Sequence, residues 1–323
     1  MEIGVGLLVS LPPFLMTSEK NSFAKSTIEE RKPLVLNQIL ADYDCYPSIQ
    51  KELIKFREEL KTGIVLSLEE LSSDREIWNS DAEPWIGKSW LDVPWFFAET
   101  YFFRRILEIV KYFQPGPLMH QDPFQRLKNE EIFNSLTVFS NLYNQNTTSS
   151  EFESFAALCY RALWGNRGDL SNLNVLETDM GLQKDRIIIN HIDQAYKFIK
   201  ERPRNIGYIF DNVGRELFFD LAFIDYLLDS GLVTSVTCFL KNQPFFVSDA
   251  MPKDLFASLR CLQSSKIQQC QSLGKRLQNA IDSRVIKLEA PSFFTSSKMF
   301  RKMPNGLRSK LSLLNLTILK GDL

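Results

Sequence analysis

The stretch "NIGYIFDNVGRELFFDLAFIDYLLDSG", Asn205 to Gly231, decides the fold class of this chain. Its first six residues form a short apolar run typical of a buried strand, and its second half repeats apolar residues at helical spacing until Gly231. An acid and an amide, Asp211 and Asn212, stand where the strand pattern stops. A strand followed at once by an amphipathic helix is the unit from which parallel sheets are built.

The same alternation continues towards the C-terminus. "LVTSVTCFL", "RVIKLEAP" and "LLNLTILKGD" are further strand candidates, and "PKDLFASL" is a helix candidate between them. The pattern before Phe198 is mostly helical, as in "STIEERKPLVLNQIL", where Ser26 has the spacing of a helix cap. We therefore predict an α/β protein with a mainly helical N-terminal domain over residues 1–198 and an α/β domain with a parallel sheet over residues 199–323.

Composition limits the partners of this chain. Lys and Arg number 38 against 39 for Asp and Glu, so no overall field favours nucleic acid or an anionic membrane. The five cysteines have no CxxC spacing, which is typical of reduced thiols in a cytoplasmic protein. "GVGLLVSLPPFLM" at positions 4–16 has no basic segment before it and is too short to span a bilayer, so we interpret it as an extended N-terminal arm.

Polar residues follow each of several predicted strands. Asp211 and Asn212 follow "YIF", Lys241 follows "TCFL", Asp249 follows "FFV" and Asp322 follows "LTIL". A single Asp in such a place usually caps a helix or a turn. Ligands of parallel sheets gather at the carboxyl ends of the strands, however, so four polar positions on one predicted edge favour a binding site.

The composition of this edge indicates its chemistry. Two carboxylates and an amide oxygen, with no thiol or imidazole beside them, suit a hard or borderline divalent cation such as Mg²⁺ or Mn²⁺. Lys241 would add a positive charge for a phosphate group. Metal-assisted phosphoryl transfer to water is the reaction that this set favours.

A family resemblance rests on "ALWGNRGDLS", "YIFDNVGRELFFDLAFIDYLL", "KNQPFFVSD" and "LKGDL", in this order, and on "PPFLMTSEKNSFAKSTIEERKP" and "VPWFFAETYFFRR" near the N-terminus. The chain resembles the damage-control phosphatases, within the subfamily that includes sugar-phosphate phosphatases and a reported protein-glutamate methyltransferase. The resemblance implies a helical domain joined to a three-layer α/β/α domain. It also implies hydrolysis of sugar phosphates such as fructose 1-phosphate or fructose 6-phosphate, supported by Mn²⁺, Ni²⁺, Co²⁺ or Mg²⁺.

The resemblance also implies roles for individual residues. Asp211, Asn212 and Asp249 are expected as metal ligands and catalytic residues. Asn166, Glu216, Lys241 and Asp322 are expected near the phosphorylated sugar. For Glu216 the alternative is a favourable charge at a helix N-terminus, worth only ~0.3–1 kcal/mol.

The chain departs from the family pattern at its C-terminus. In the family the "KGDL" motif is followed by a basic segment thought to hold substrate, whereas this chain ends at Leu323. We therefore expect weaker substrate binding and turnover, with metal binding largely retained. Two other functions stay open, namely an S-adenosylmethionine-dependent carboxyl methyltransferase and a non-catalytic binding protein. No glycine-rich loop follows the first predicted strand, which argues against the methyltransferase. The sequence also leaves open whether water or an aspartate attacks the phosphate.

Overall fold

The computed structural model describes residues 11–144, 150–165, 187–201 and 204–321. Contacts divide the chain into two compact units, with the boundary after Gln121. The predicted domain boundary lies at residue 198, where the strand pattern begins. The difference arises because the helices between residues 125 and 164 pack on the helices beside the sheet and so belong to the second unit.

The described part of the first unit contains helices and no strand. The α-helices are α1 Phe23–Ser26, α2 Lys32–Leu40, α3 Pro47–Thr62, α4 Arg75–Ala82 and α5 Trp95–Ile109, with a π-helical turn at Thr27–Arg31 and 3₁₀ turns at Ala41–Tyr43 and Glu83–Trp85. The prediction that Ser26 caps the first helix was wrong. The cap is Ser22, whose side chain accepts a hydrogen bond from the Lys25 amide at 3.1 Å, while Ser26 already has helical backbone angles.

The second unit carries the sheet. Its elements are α6 Gln125–Asn144, α7 Glu151–Trp164, α8 Ile192–Lys200, β1 Arg204–Ile209, α9 Arg215–Asp229, β2 Val233–Phe239, α10 Pro252–Gln263, α11 Gln268–Asp282, β3 Ile286–Glu289, α12 Asn305–Ser312 and β4 Leu316–Leu319, with 3₁₀ turns at Ser292–Thr295 and Phe300–Lys302. Among the described residues, no helix is both long and apolar enough to cross a membrane.

The four strands form one parallel sheet in the order β3-β2-β1-β4. This confirms the α/β prediction and the four strand candidates of the C-terminal half. "FFV", in contrast, is not a strand: Phe246 and Val247 form a turn with φ of 46° and 65°. Its apolar residues were mistaken for a strand because a short buried turn and a short buried strand have the same composition.

Side chains of β1 alternate between two cores, as the pleat of a strand requires. Tyr208 packs into a large core that it shares with helices α6, α7, α9, α10 and α11. Ile209 packs on the other face, in a smaller core with residues of α12 and the turns before it. The sheet therefore lies between two helical layers, and its carboxyl edge is left for the loops that follow the strands.

Candidate active site

The loop after β1 is fastened to the segment that contains Asp249. The amide of Ala250 donates to the Asp211 carbonyl at 2.8 Å, and the amide of Val213 donates to the Ser248 carbonyl at 2.8 Å. Asn212 and Asp249 thus form an isolated antiparallel bridge. The structure brings the predicted residues Asp211, Asn212 and Asp249 together at the carboxyl edge, although Asp249 follows a turn and not a strand.

The Asn212 side chain connects two acidic residues. Its Nδ2 donates to Asp211 Oδ2 at 2.7 Å and to Glu216 Oε2 at 3.1 Å. Its Oδ1 accepts a hydrogen bond from the Ser248 hydroxyl at 2.5 Å. Glu216, in the first turn of α9, is therefore part of the same polar group as the "DN" pair, and its place near the sugar, which the resemblance implies, stays a prediction.

Asp249 is buried and paired with Lys241. The Lys241 Nζ lies 3.0 Å from Asp249 Oδ2, an ion pair in which both side chains are more than 90% buried. The Lys241 amide also donates to the Ala250 carbonyl at 3.0 Å, which fixes the end of β2 to this segment. Burial raises the pKa of Asp249 above its ordinary value, and the Lys241 charge opposes that rise.

Lys320 at the end of β4 is a member of the site that sequence reasoning missed. Its Nζ lies 2.6 Å from Glu216 Oε1 and 3.1 Å from Asp220 Oδ1, and it donates to the Ala162 carbonyl at 2.8 Å. The signal was present in "LTILKGD", because a lysine directly follows an apolar strand there and needs an acidic partner when its side chain is buried. Tyr208 completes this group, since its hydroxyl donates to Asp220 Oδ1 at 2.6 Å.

The pKa values of this group follow from burial and charge. Burial raises the pKa of Asp220 to about 6, although the Lys320 ammonium and the Tyr208 hydroxyl act against the rise. For Lys320, burial acts to lower the pKa, but Asp220 and Glu216 outweigh it and the pKa lies above its ordinary value. The ion pair is therefore charged near neutral pH, with Asp220 losing its charge in mild acid.

Two glycines let backbone come close to the acidic groups. Gly321 has φ of +92°, and a Cβ built there would lie 3.0 Å from the Asp211 carboxyl carbon. A Cβ on Gly165 would lie 2.7 Å from the Glu216 Cα. The C-terminal ends of β4 and α7 thus border the site. The two predicted site residues next to these glycines, Asn166 and Asp322, lie outside the described residues.

Asp211, Asn212 and Asp249 carry side-chain oxygens, the kind of donor that hard divalent cations prefer. No three His, Cys, Asp or Glu side chains in the described ranges form a group that could hold a metal ion, so a cation here would need the Asn212 amide oxygen beside Asp211 and Asp249. The nitrogen of that amide faces the carboxylates in this structure, and the amide would have to turn. Three buried carboxylates of this edge are in ion pairs: Asp249 pairs with Lys241, and Glu216 and Asp220 share the Lys320 ammonium group.

A cavity of about 640 Å³ lies elsewhere in the second unit. It is bounded by residues of α6, α7, α9 and α11, including the Asp225–Arg276 ion pair, and by none of the residues described above. Asp225 and Arg276 satisfy each other's charges through two hydrogen bonds, at 3.0 and 2.5 Å. The carboxyl edge, where the buried carboxylates of Glu216 and Asp220 share the Lys320 ammonium group, is therefore the better candidate for catalysis.

Comparisons with known proteins show what this chain is similar to. A model of the damage-control phosphatase ARMT1-like domain matches residues 27–323. Damage-control phosphatase ARMT1 of Rattus norvegicus is 25% identical over 369 residues, which cover 97% of this chain and 82% of that protein. The Homo sapiens protein of the same name is 27% identical over 368 residues, covering 97% of this chain and 83% of the relative.

A crystal structure of a DUF89 family protein from Pyrococcus horikoshii has a TM-score of 0.51 and 15% sequence identity with this chain. The superposition covers 90% of this chain and 81% of that one. At this level of identity the likeness shows a common fold.

Proposed function

The chain belongs to the damage-control phosphatase ARMT1-like domain family, and from this premise we propose that it is a divalent-metal-dependent phosphatase that hydrolyses monoesters of phosphorylated sugars. The observation that carries the proposal is the joining of Asp211, Asn212 and Asp249 by backbone and side-chain hydrogen bonds at the carboxyl edge of a parallel sheet. Ligands of such sheets bind at this edge.

Charge balance supports a role for a cation. A phosphate monoester carries up to two negative charges and would be repelled by the buried carboxylates of Glu216 and Asp220, which share the Lys320 ammonium group. Asp211, Asn212 and Asp249 would hold the cation through oxygen atoms. When bound, a divalent ion polarises the phosphoryl group and neutralises charge as the ester bond breaks.

Other residues would prepare the site for substrate. Lys241 already neutralises Asp249, and it is the ammonium group nearest to that proposed ligand, so we assign it the phosphate contact. Lys320 holds Glu216 through Oε1 and leaves Oε2 to the Asn212 amide. Glu216 is thereby kept beside the substrate position with a fixed orientation. Asn166 and Asp322 remain proposed substrate contacts.

The substrate class that we propose is the phosphorylated ketose, with fructose 1-phosphate and fructose 6-phosphate as the first compounds to assay, and the ion is Mn²⁺, Ni²⁺, Co²⁺ or Mg²⁺. We propose a cytoplasmic location, because all five cysteines are free thiols, as a reducing compartment requires. The methyltransferase alternative is disfavoured because the loop after β1 presents carboxylate and amide oxygens in place of a glycine-rich turn.

The test is release of phosphate by the purified chain, freed of metal with a chelator and then supplied with each ion in turn. We expect turnover only with an added ion, and its loss in Asp211→Asn. Asp229→Asn is the matched control, since Asp229 is exposed at the C-terminal end of α9, the helix that follows Asp211, and this variant should retain wild-type turnover. No phosphate release with any ion, or methyl transfer from S-adenosylmethionine to a protein, would overturn the proposal.

A further inference from the structure

The orientation of the Asn212 amide follows from its neighbours. Carboxylate oxygens accept hydrogen bonds and cannot donate them, so the group between Asp211 Oδ2 and Glu216 Oε2 has to be the Nδ2 donor. The oxygen of the amide then points to the Ser248 hydroxyl, which donates to it. The nitrogen therefore occupies the position between carboxylates where a cation ligand would have to present an oxygen.

Ser248 reaches this position from an unfavourable turn. Phe246 and Val247 both have left-handed backbone angles, with φ of 46° and 65°, and a β-branched residue such as Val247 is rarely found there. The Ser248 amide donates to the Phe246 carbonyl at 2.7 Å and its carbonyl accepts from the Val213 amide at 2.8 Å. The hydrogen bonds of the neighbouring backbone thus hold the turn in a conformation that places the hydroxyl on Asn212.

We propose that Ser248 is a positioning residue that sets which atom of the Asn212 amide faces Asp211 and Glu216. A hydroxyl can donate and accept. It donates to Oδ1 when the nitrogen faces the carboxylates, and it accepts from Nδ2 when the amide has turned its oxygen towards a bound cation. The left-handed turn at Phe246–Val247 keeps the hydroxyl within reach in both states. This inference rests on the proposed function, which supplies the cation.

The hydroxyl can be tested by calorimetric titration of Mn²⁺ into the metal-free protein. We expect Ser248→Ala to bind Mn²⁺ on the order of ten-fold more weakly, as is usual when a partner of a metal ligand is lost. Ser248→Thr restores the hydroxyl and should recover most of the affinity. Equal Mn²⁺ affinity in wild type and Ser248→Ala, or no recovery with Thr, would overturn the proposal.

The turn is tested with a matched pair of variants. Val247→Gly removes the backbone strain, so it should leave the melting temperature unchanged or higher while weakening Mn²⁺ binding. Val247→Ala also removes the valine side chain, but alanine, unlike glycine, is disfavoured at φ of 65°. The Ala variant should bind Mn²⁺ more tightly than the Gly variant. A Gly variant that melts lower and binds Mn²⁺ as wild type does would assign the turn a purely structural role.

A measurement without metal separates this inference from the proposed function. In metal-free protein labelled with ¹⁵N-asparagine, the Asn212 side-chain amide protons should exchange slowly because they are held by two carboxylates. Ser248→Ala should speed that exchange and Ser248→Thr should not. If wild type binds no divalent ion, the proposed function fails, and the exchange data alone decide for or against Ser248.

Discussion

Replacement of Lys320 by methionine should destabilise the second unit strongly. Methionine keeps the length and apolar stem of lysine but leaves Glu216 and Asp220 without the ammonium group that lies 2.6 and 3.1 Å from them. Both carboxylates are at least 95% buried, and removal of one partner from a buried ion pair costs about 3–5 kcal/mol. The total free energy of unfolding of a domain is roughly 5–15 kcal/mol, so the loss is large.

The size of the loss should depend on pH. Burial already raises the pKa of Asp220 to about 6, and without the Lys320 charge it rises further. A carboxyl with a raised folded pKa makes the protein lose stability as pH rises from the unfolded to the folded pKa, and the loss stops above the folded pKa. In wild type it therefore stops near pH 6, whereas in Lys320→Met it continues to higher pH. The difference in unfolding free energy between wild type and Lys320→Met should therefore be small near pH 5 and should increase between pH 6 and pH 8.

The assay is guanidinium unfolding followed by circular dichroism at both ends of this range. Lys310→Met is the matched control, because Lys310 Nζ also lies 2.6 Å from a carboxylate, that of Glu289, but its side chain is 58% exposed. An exposed ion pair contributes about 0–1 kcal/mol, so the control should change little. Equal effects of the two substitutions, or a Lys320→Met effect that does not vary with pH, would refute the reasoning.

Three further substitutions test the site. Asp211→Ala should abolish metal-dependent hydrolysis without lowering the melting temperature of the metal-free protein, since it relieves repulsion among clustered carboxylates; strong destabilisation would mark a structural residue. Gly321→Ala should lower the free energy of unfolding by roughly 1–3 kcal/mol in chemical denaturation, because φ is +92° and the methyl would lie 3.0 Å from the Asp211 carboxyl carbon. Gly306→Ala is the control and should leave the free energy of unfolding unchanged, because no atom lies within 4 Å of the added methyl. Wild type should lose about 3 kcal/mol of unfolding free energy as pH rises from about 4 to 6, the interval between the unfolded and folded pKa values of Asp220, and Asp220→Asn should not show this loss. Stability curves of the two proteins that run parallel over this interval would contradict this.

The sheet could be predicted from sequence because its strands are short apolar runs separated by amphipathic helices. Asp211 and Asn212 follow β1 directly, and this placement needed only the end of one strand. Asp249 was also placed at the correct edge, but for a wrong reason: it reaches Asn212 through a backbone bridge that follows a left-handed turn. Nothing in "FFVSD" indicates positive φ angles, since neither Phe nor Val favours them.

Other features depend on contacts between distant segments and so are hidden from sequence patterns. Lys320 pairs with Asp220, a residue 100 positions earlier, through the pairing of β4 with β1. The unit boundary after Gln121 depends on where α6 and α7 pack, and periodicity shows that a helix is amphipathic without showing which partner covers it. The wrong cap at Ser26 has a local cause, because two serines four residues apart offered competing starts for one helix.

The position of Lys320 also has a consequence for synthesis of the chain on the ribosome. The acidic groups of α9 emerge 100 residues before Lys320, and until it arrives they have to stay hydrated. Burial of β1 and α9 therefore awaits the last strand, although both are translated early. In that interval the edge of β1 that later receives β4 is open to strands of other nascent chains.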